Sequence, residues 1–294
     1  MTHPLIKDGF SAQYQVTDGS NFRLKDYATT PSVDFDKQLL KKKKKSLVKR
    51  IAKLQDLLYA DDRRALLTVF QAMDAAGKDS AIKHLLTGIN PQGCEVHSFK
   101  QPTTIEIDHD FMWRTSVRAP SRGKIGVFNR SYYEEVLVVK VHENILNNSR
   151  LPKELINEDI WAQRFEYIRA FERYLNQNGT NILKIFLYVS PEEQKRRFIS
   201  RMGNPTKNWK FDPNDLYERG FWTDYMRAYE EAIQATASKD APWYIVPADY
   251  KPYSRVVIAD AVCQNLESLN LEYPTLDDEV QDNLHKYICQ LLDE

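Results

Sequence analysis

The stretch Val69-Phe-Gln-Ala-Met-Asp-Ala-Ala-Gly-Lys-Asp-Ser80 decides the fold of this 294-residue chain. It closes an apolar run that starts at Ala65, behind the charged residues Asp61 to Arg64, and turns at Gly77 into a helical pattern. Such a run suits a buried strand. A strand feeding a loop of small residues aims backbone N–H groups and a helix N-terminus at one spot, where Lys78 adds a full positive charge; this is the architecture of a phosphate site. The stretch departs from GxxxxGK[ST], because Ala72 replaces the first Gly and Asp79 follows the Lys. A plain strand-to-helix turn with a surface lysine would explain Gly77 and Lys78 but leave Asp74 without a purpose. Asp74 is a hard, acceptor-only ligand where Mg2+ bound to phosphate would lie; its alternative role is an Asx-turn or helix cap.

Further β-rich runs come at 95–99, 124–128, 181–189 and 243–247. Helical stretches lie between and after them at 106–118, 132–141, 159–176, 191–202, 216–235 and 253–269. The alternation predicts an α/β fold, a mostly parallel sheet with helices on both faces. Upstream, Leu39, Leu40, Leu47, Ile51, Leu54 and Leu58 predict a helix over 36–59. It carries nine bases between Lys37 and Lys53 and no acid. Residues 1–35 read as an extended arm draped over the core. The turn-rich segment 203–215 between two helices is a candidate lid. Eight acids against Lys286 mark 267–294, expected as a peripheral helix. The organisation expected is an arm and basic helix over 1–60, a core over 61–270 with its lid at about 191–220, and an acidic helix over 271–294.

With 42% hydrophobic residues the chain has enough apolar surface for a core, which excludes disorder as its main state. Forty-one bases balance forty-one acids, against bulk electrostatic capture of nucleic acid or anionic membrane. Cys94, Cys263 and Cys289 form no CxxC pair, and the six histidines show no HxxxH or HExxH spacing, so neither a disulfide framework nor zinc is indicated. Without an apolar leader or an ~18-residue apolar span, a soluble cytoplasmic protein is expected.

A second constellation is Ile125-Gly-Val-Phe-Asn-Arg-Ser-Tyr-Tyr-Glu134, again a strand ending in polar residues. Ligands sit at the carboxyl ends of parallel strands, so Asn129, Arg130 and Glu134 are expected to face the same crevice as Lys78. Arg130 suits a bidentate clamp on phosphate, Asn129 a contact to metal-bound water, and Glu134 lies one helical turn on. The alternative is a Ser131 N-cap with flanking surface charges.

With Asn90-Pro-Gln-Gly93, Ser98-Phe-Lys-Gln-Pro-Thr103, His109-Asp-Phe-Met-Trp-Arg114, Lys207-Asn-Trp-Lys210 and Ala241-Pro-Trp-Tyr-Ile-Val-Pro-Ala-Asp249, the two constellations resemble the second polyphosphate kinase family over roughly residues 65–250. The resemblance implies a thymidylate-kinase-like P-loop fold, three-layered, with a helical lid. It implies transfer of the terminal phosphoryl group of inorganic polyphosphate to nucleoside mono- and diphosphates (AMP and ADP, with GMP and GDP as further acceptors), reversibly. Mg2+, replaceable by Mn2+, would be held through Asp74, and the chain would form a homo-oligomer, a dimer or tetramer. By resemblance Asp74 and Lys78 hold metal and phosphates. Asn129 replaces a frequent Asp, which weakens direct metal ligation there and makes Glu134 a candidate for acceptor choice or metal support. Ser80-Ala81 replaces a usual Gly-Thr. Ala75, Ala76, Gly77, Asp79 and Ser80 are then phosphate contacts, with Lys83 beyond them. Arg197 and Arg201, four apart on the helix before the lid, with Lys207, Lys210 and Arg219, would line a polyphosphate channel; a solvated mixed-charge face is the alternative. Lys100, Arg114 and Arg118 are expected at the acceptor nucleotide, Arg114 and Arg118 on one helix. Trp222 and Trp243 are expected in the core, and His109 as a packed structural residue. The rivals are an ATP-dependent nucleoside monophosphate kinase on this fold and a non-catalytic polyanion- or RNA-binding module built on the basic helix.

Overall fold

In the computed structural model, which describes residues 9–294, the 69–80 stretch stands at the centre of a six-stranded sheet. The elements run β1 (Gln15–Val16), α1 (Lys37–Asp61), β2 (Ala65–Gln71), α2 (Lys78–Leu85), β3 (Cys94–Ser98), α3 (Thr104–Ile107), α4 (Trp113–Ser116) and β4 (Ile125–Asn129). Then come α5 (Val138–Val141), α6 (Glu143–Asn147), α7 (Ile160–Gln177), β5 (Thr180–Tyr188), α8 (Pro191–Met202), α9 (Asn214–Arg219), α10 (Trp222–Thr236), β6 (Trp243–Pro247), α11 (Lys251–Ser268) and α12 (Asp278–Leu292). The strand order is β1-β6-β5-β2-β4-β3, parallel throughout except for β1, which runs antiparallel to β6.

The chain leaves β2 for the β3 edge, returns through β4, and crosses to β5 on the other side of β2. That reversal opens a crevice at the carboxyl ends of β2, β4 and β5, where an open parallel sheet takes its ligands. Register pairs Phe70 with Asn129 on one side and Ile185 on the other, so β2 and β4 end within one residue of each other while β5 runs on to Tyr188 beside β6. Helices α1, α2 and α11 pack together on one face, and α5, α7 and α10 on the other. Every residue of β2 is buried, as a strand covered on both faces requires.

Five expectations need correction. The arm is more than a drape: β1 adds a strand to the sheet, and Asp260 of α11 accepts from the N–H groups of Phe10 (2.8 Å) and Ser11 (3.0 Å). The stretch 1–8 lies outside the described residues. The helix expected over 106–118 is two short ones. Thr103 and Glu106 form a capping box that starts α3, and Asp110 accepts from Met112 N (2.9 Å) and Trp113 N (3.2 Å), which starts α4. The helix expected over 216–235 breaks into α9 and α10 at Gly220 and Phe221, and that over 132–141 becomes a 3-10 turn, Tyr132–Val136, followed by α5. Trp243 is fully buried and Trp222 partly so, but His109 is exposed, stacked on Trp113 with ring centroids 3.9 Å apart.

The acidic segment forms α12, with no buried residue. No helix among the described residues is long and apolar enough to cross a membrane.

Candidate active site

The loop after β2 takes a conformation that its composition permits at a cost. Gly77 has φ +110° and Ala75 has φ +60°, the left-handed region, which costs a residue with a Cβ about 1–3 kcal/mol. The turn wraps around Lys78, whose ammonium is buried and donates to Ala72 O at 2.5 Å. Helix α2 begins there with Gly77 as N-cap and no side-chain cap, so its first turn keeps N–H groups for a ligand.

Facing the loop, Arg130 follows β4 with φ +65°, a third left-handed residue at the same crevice. Its backbone N–H donates to Phe70 O (3.0 Å), clipping it to the end of β2. Its guanidinium donates to Asp74 Oδ1 (2.6 Å) and Glu134 Oε2 (3.3 Å). The structure thus brings together Lys78, Asp74, Arg130 and Glu134. Burial pushes the Lys78 ammonium down to about 8, aided by the neighbouring Arg130 and opposed by Asp74, Glu134 and Asp79. Glu134 and, against burial, Asp74 hold the Arg130 guanidinium more firmly protonated than usual. An anion arriving between these two cations meets positive charge already in place.

Asn129 turns elsewhere: its amide donates to Asp79 Oδ1 (2.9 Å), and Lys210 from the lid reaches Asp79 Oδ2 (3.4 Å). Burial raises the Asp79 pKa, but the Asn129 bond and Lys210 outweigh it and the net direction is down. The Asp79 carboxylate therefore bridges α2, β4 and the lid, which leaves its N–H as the group suited to phosphate. Ser80 Oγ accepts from Arg255 of α11 (2.9 Å).

The lid arginines are placed differently from the channel expected of them. Arg197 is only 6% exposed, paired with Glu193 (2.6 Å). It donates to the carbonyls of Ala75, Ala76, Ala248 and Asp249, tying the loop to the end of β6. It is a brace. Arg219 donates to Pro191 O (2.8 Å) and Gln194 Oε1 (2.6 Å), and Gln194 in turn donates to Asp74 O (2.9 Å). Arg201 pairs with Asp215 (3.1 Å), within the lid. Glu218 of α9 holds the lid to the core through His142 (2.8 Å) and Tyr225 (2.5 Å). Lys207, Lys83, Lys100 and Arg118 are exposed. Arg114 is buried, donates to Lys100 O (2.7 Å), and lies over the Phe99 ring; it shares no helix with Arg118, which lies beyond α4.

Sequence reading missed Lys251 and Arg255. They stand four apart at the start of α11 and line a narrow crevice with Gly77, Ser80 and Ala81. A base pair at i, i+4 directly after a parallel strand's carboxyl end was the available signal. Lys44, from the lysine run of α1, joins them beside His84 (3.5 Å). Burial, with mutual repulsion among Lys44, Arg255, Lys41 and Lys83, lowers the pKa of both Lys44 and His84. The α1 bases therefore belong in part to a cationic face that reaches the loop.

Among the described residues no three His, Cys, Asp or Glu side chains converge as a metal cage. Asp74, about one-third exposed at the loop, fits instead a hard cation carried in by phosphates, since Mg2+ keeps several waters and takes one or two carboxylates.

A family profile described as Polyphosphate kinase 2 (PPK2) matches residues 34–274. The chain is 52% identical over 228 residues to a Rhodopseudomonas palustris protein named ADP-polyphosphate phosphotransferase, covering 77% of this chain and 79% of that one. It is 40% identical over 264 residues to a Meiothermus ruber protein named AMP/ADP-polyphosphate phosphotransferase, covering 89% and 95%. The crystal structure of polyphosphate kinase 2 from Arthrobacter aurescens superposes with a TM-score of 0.84 at 35% identity, covering 93% and 95%. A profile spanning most of the chain, and a solved structure of the same shape, place this chain in the polyphosphate kinase 2 family.

Proposed function

We propose that this chain transfers the terminal phosphoryl group of inorganic polyphosphate to nucleoside mono- and diphosphates, AMP and ADP foremost, in a reversible reaction. Family membership and the names of its relatives support the reaction class. The observation that carries the site is the convergence of Lys78, Arg130 and Asp74 beside the uncapped start of α2. In the transfer, an oxygen of the acceptor's terminal phosphate forms a bond to the end phosphorus of the chain. The bridging bond behind that phosphorus breaks, and polyphosphate shortens by one unit. The acceptor is already an anion, so no general base is needed. Positioning and neutralisation of the transferred group's oxygens carry the catalysis. Lys78 and Arg130 supply fixed positive charge, and the loop and α2 N–H groups supply donors. Asp74 would hold Mg2+, or Mn2+ in its place, which when bound neutralises phosphate oxygens.

Lys44, Lys251 and Arg255 offer a cationic path for the chain beyond the reacting unit. Lys100, Arg114 and Arg118 remain the acceptor-side proposal, with Arg114 acting from a buried position. A homo-oligomer, dimer or tetramer, in the cytoplasm completes the proposal and is read by light scattering and fractionation.

The test supplies purified protein and Mg2+ with AMP, ADP, GMP or GDP and either long-chain polyphosphate or ATP, and separates the products. Polyphosphate-dependent ATP formation is expected. Product from ATP and AMP with none from polyphosphate overturns the donor assignment.

A further inference from the structure

Lys184 is an anomaly in β5, a strand that is otherwise apolar at its centre. It is fully buried, between Val69 of β2 and Trp243 of β6 in register. Its ammonium donates to Glu172 Oε2 of α7 (2.6 Å), Thr236 O of α10 (2.8 Å) and the Tyr133 hydroxyl (3.1 Å). The other oxygen of Glu172 receives two phenols, Tyr132 at 2.9 Å and Tyr133 at 2.8 Å. Thr236 Oγ1 lies 2.9 Å from the Tyr133 hydroxyl and accepts from Trp243 Nε1 (3.0 Å). None of these polar side-chain atoms is left without a partner. A buried ion pair can often be replaced by well-packed apolar residues at no loss of stability, so its presence is weak evidence for a purely stabilising role.

What it does have is direction. Tyr132 and Tyr133 lie in the chain between Arg130 and Glu134. Arg130 sits in a left-handed conformation, Ser131 is extended, and the 3-10 turn begins at Tyr132, so this segment has no regular helix to hold its shape. We propose that Glu172, locked by Lys184, is a positioning residue: it pins both phenols and thereby fixes the pose of Arg130 and Glu134 over the loop. This rests on the phosphoryl-transfer reading of Arg130. The pinning works from the far side of the segment, while Gln71 holds it from the near side: its amide oxygen accepts from Ser131 Oγ (3.0 Å) and Ser131 N (3.1 Å), and its amide nitrogen donates to Glu134 Oε1 (2.9 Å).

The test compares kcat and KM for polyphosphate in Tyr132→Phe, Tyr133→Phe and the double replacement Glu172→Met with Lys184→Met, each with its melting temperature. Asp260→Asn, which loosens the N-terminal arm held by Asp260 at Phe10 and Ser11, is the control for stability loss alone. The expected result is a fall in kcat of roughly ten- to a hundredfold, KM within about twofold, and no such fall in Asp260→Asn. Combined with Arg130→Lys, the hub changes should be strongly non-additive in kcat. Normal kcat in folded Tyr132→Phe and Tyr133→Phe, or additivity with Arg130→Lys, overturns the positioning role whether or not the double replacement folds. Wild-type kcat in Arg130→Lys itself overturns the reading of the site, a separate failure.

Discussion

Arg130 Nη2 lies 2.6 Å from Asp74 Oδ1, so the loop after β2 and the turn after β4 are joined by an ion pair across the crevice. Both side chains are about one-third exposed, so solvent screens the pair and its contribution to stability is small. Its consequence is geometric: a cation and a metal-competent carboxylate are held beside Lys78 before any ligand arrives.

Lys78→Ala and Asp74→Asn should each lower turnover by about a thousandfold or more, since each removes charge stabilisation that transfer depends on. Circular dichroism should be unchanged. Near-normal rates in either variant would remove these residues from the site.

The depressed pKa of Lys78 sets a pH signature. The ammonium titrates near 8 in the folded protein against 10.5 ordinarily, with burial the main cause. Between those values the unfolded chain binds more protons, so the penalty for burying Lys78 is full below pH 8 and is relieved as pH rises through that window. Lys78→Met should therefore melt higher than wild type at pH 7, with the difference narrowing toward pH 10. In activity, kcat/KM for polyphosphate should decline above about pH 8, because it reports the free enzyme. Bound phosphate favours the charged form, so kcat should hold to higher pH. A flat kcat/KM profile from pH 7 to 10 would contradict this.

Neutralising Lys44, Lys251 and Arg255 together should raise KM for long-chain polyphosphate by about tenfold, leave kcat nearly unchanged, and flatten the salt dependence of KM. Gln replacements of Lys41, Lys42 and Lys45, which are exposed along α1, should do less. Equal effects from the two sets would mean a diffuse field and no path.

Arg197→Ala should destabilise the protein by about 3–5 kcal/mol, because Glu193 and the loop carbonyls would lose their buried donor. Denaturant unfolding reads this directly. A change in polyphosphate KM without loss of stability would restore Arg197 to the channel.

Gly77→Ala meets no clash, as an added Cβ would stand 3.8 Å from Arg197 and 3.9 Å from Lys251. The cost is conformational, from φ +110°, and should be about 1–2 kcal/mol with reduced phosphate affinity. Thermal melts with and without polyphosphate separate the two effects.

The sequence by itself determined the parts whose cause is local. The largely apolar run 65–71, the small residues after it and Lys78 specify strand, loop and helix start within about a dozen positions, and Asn129 to Glu134 repeat the logic at the next strand end. Their meeting in one crevice was also legible, because parallel strands with helical crossovers leave few arrangements. Helix breaks were less so: Asp110 and Gly220 interrupt periodic patterns that apolar spacing alone would continue. Only the tertiary structure decided what distant side chains do. Arg197 reads as one more base in a cationic helix, yet it is buried against carbonyls 51 and 121 positions away and braces the loop. Arg255 reaches Ser80 across 175 positions, and Lys184 finds Glu172, Tyr133 and Thr236 on three other segments. Such partners depend on which elements the strand order lays side by side and on which charges lose water as they pack. Local spacing carries neither quantity.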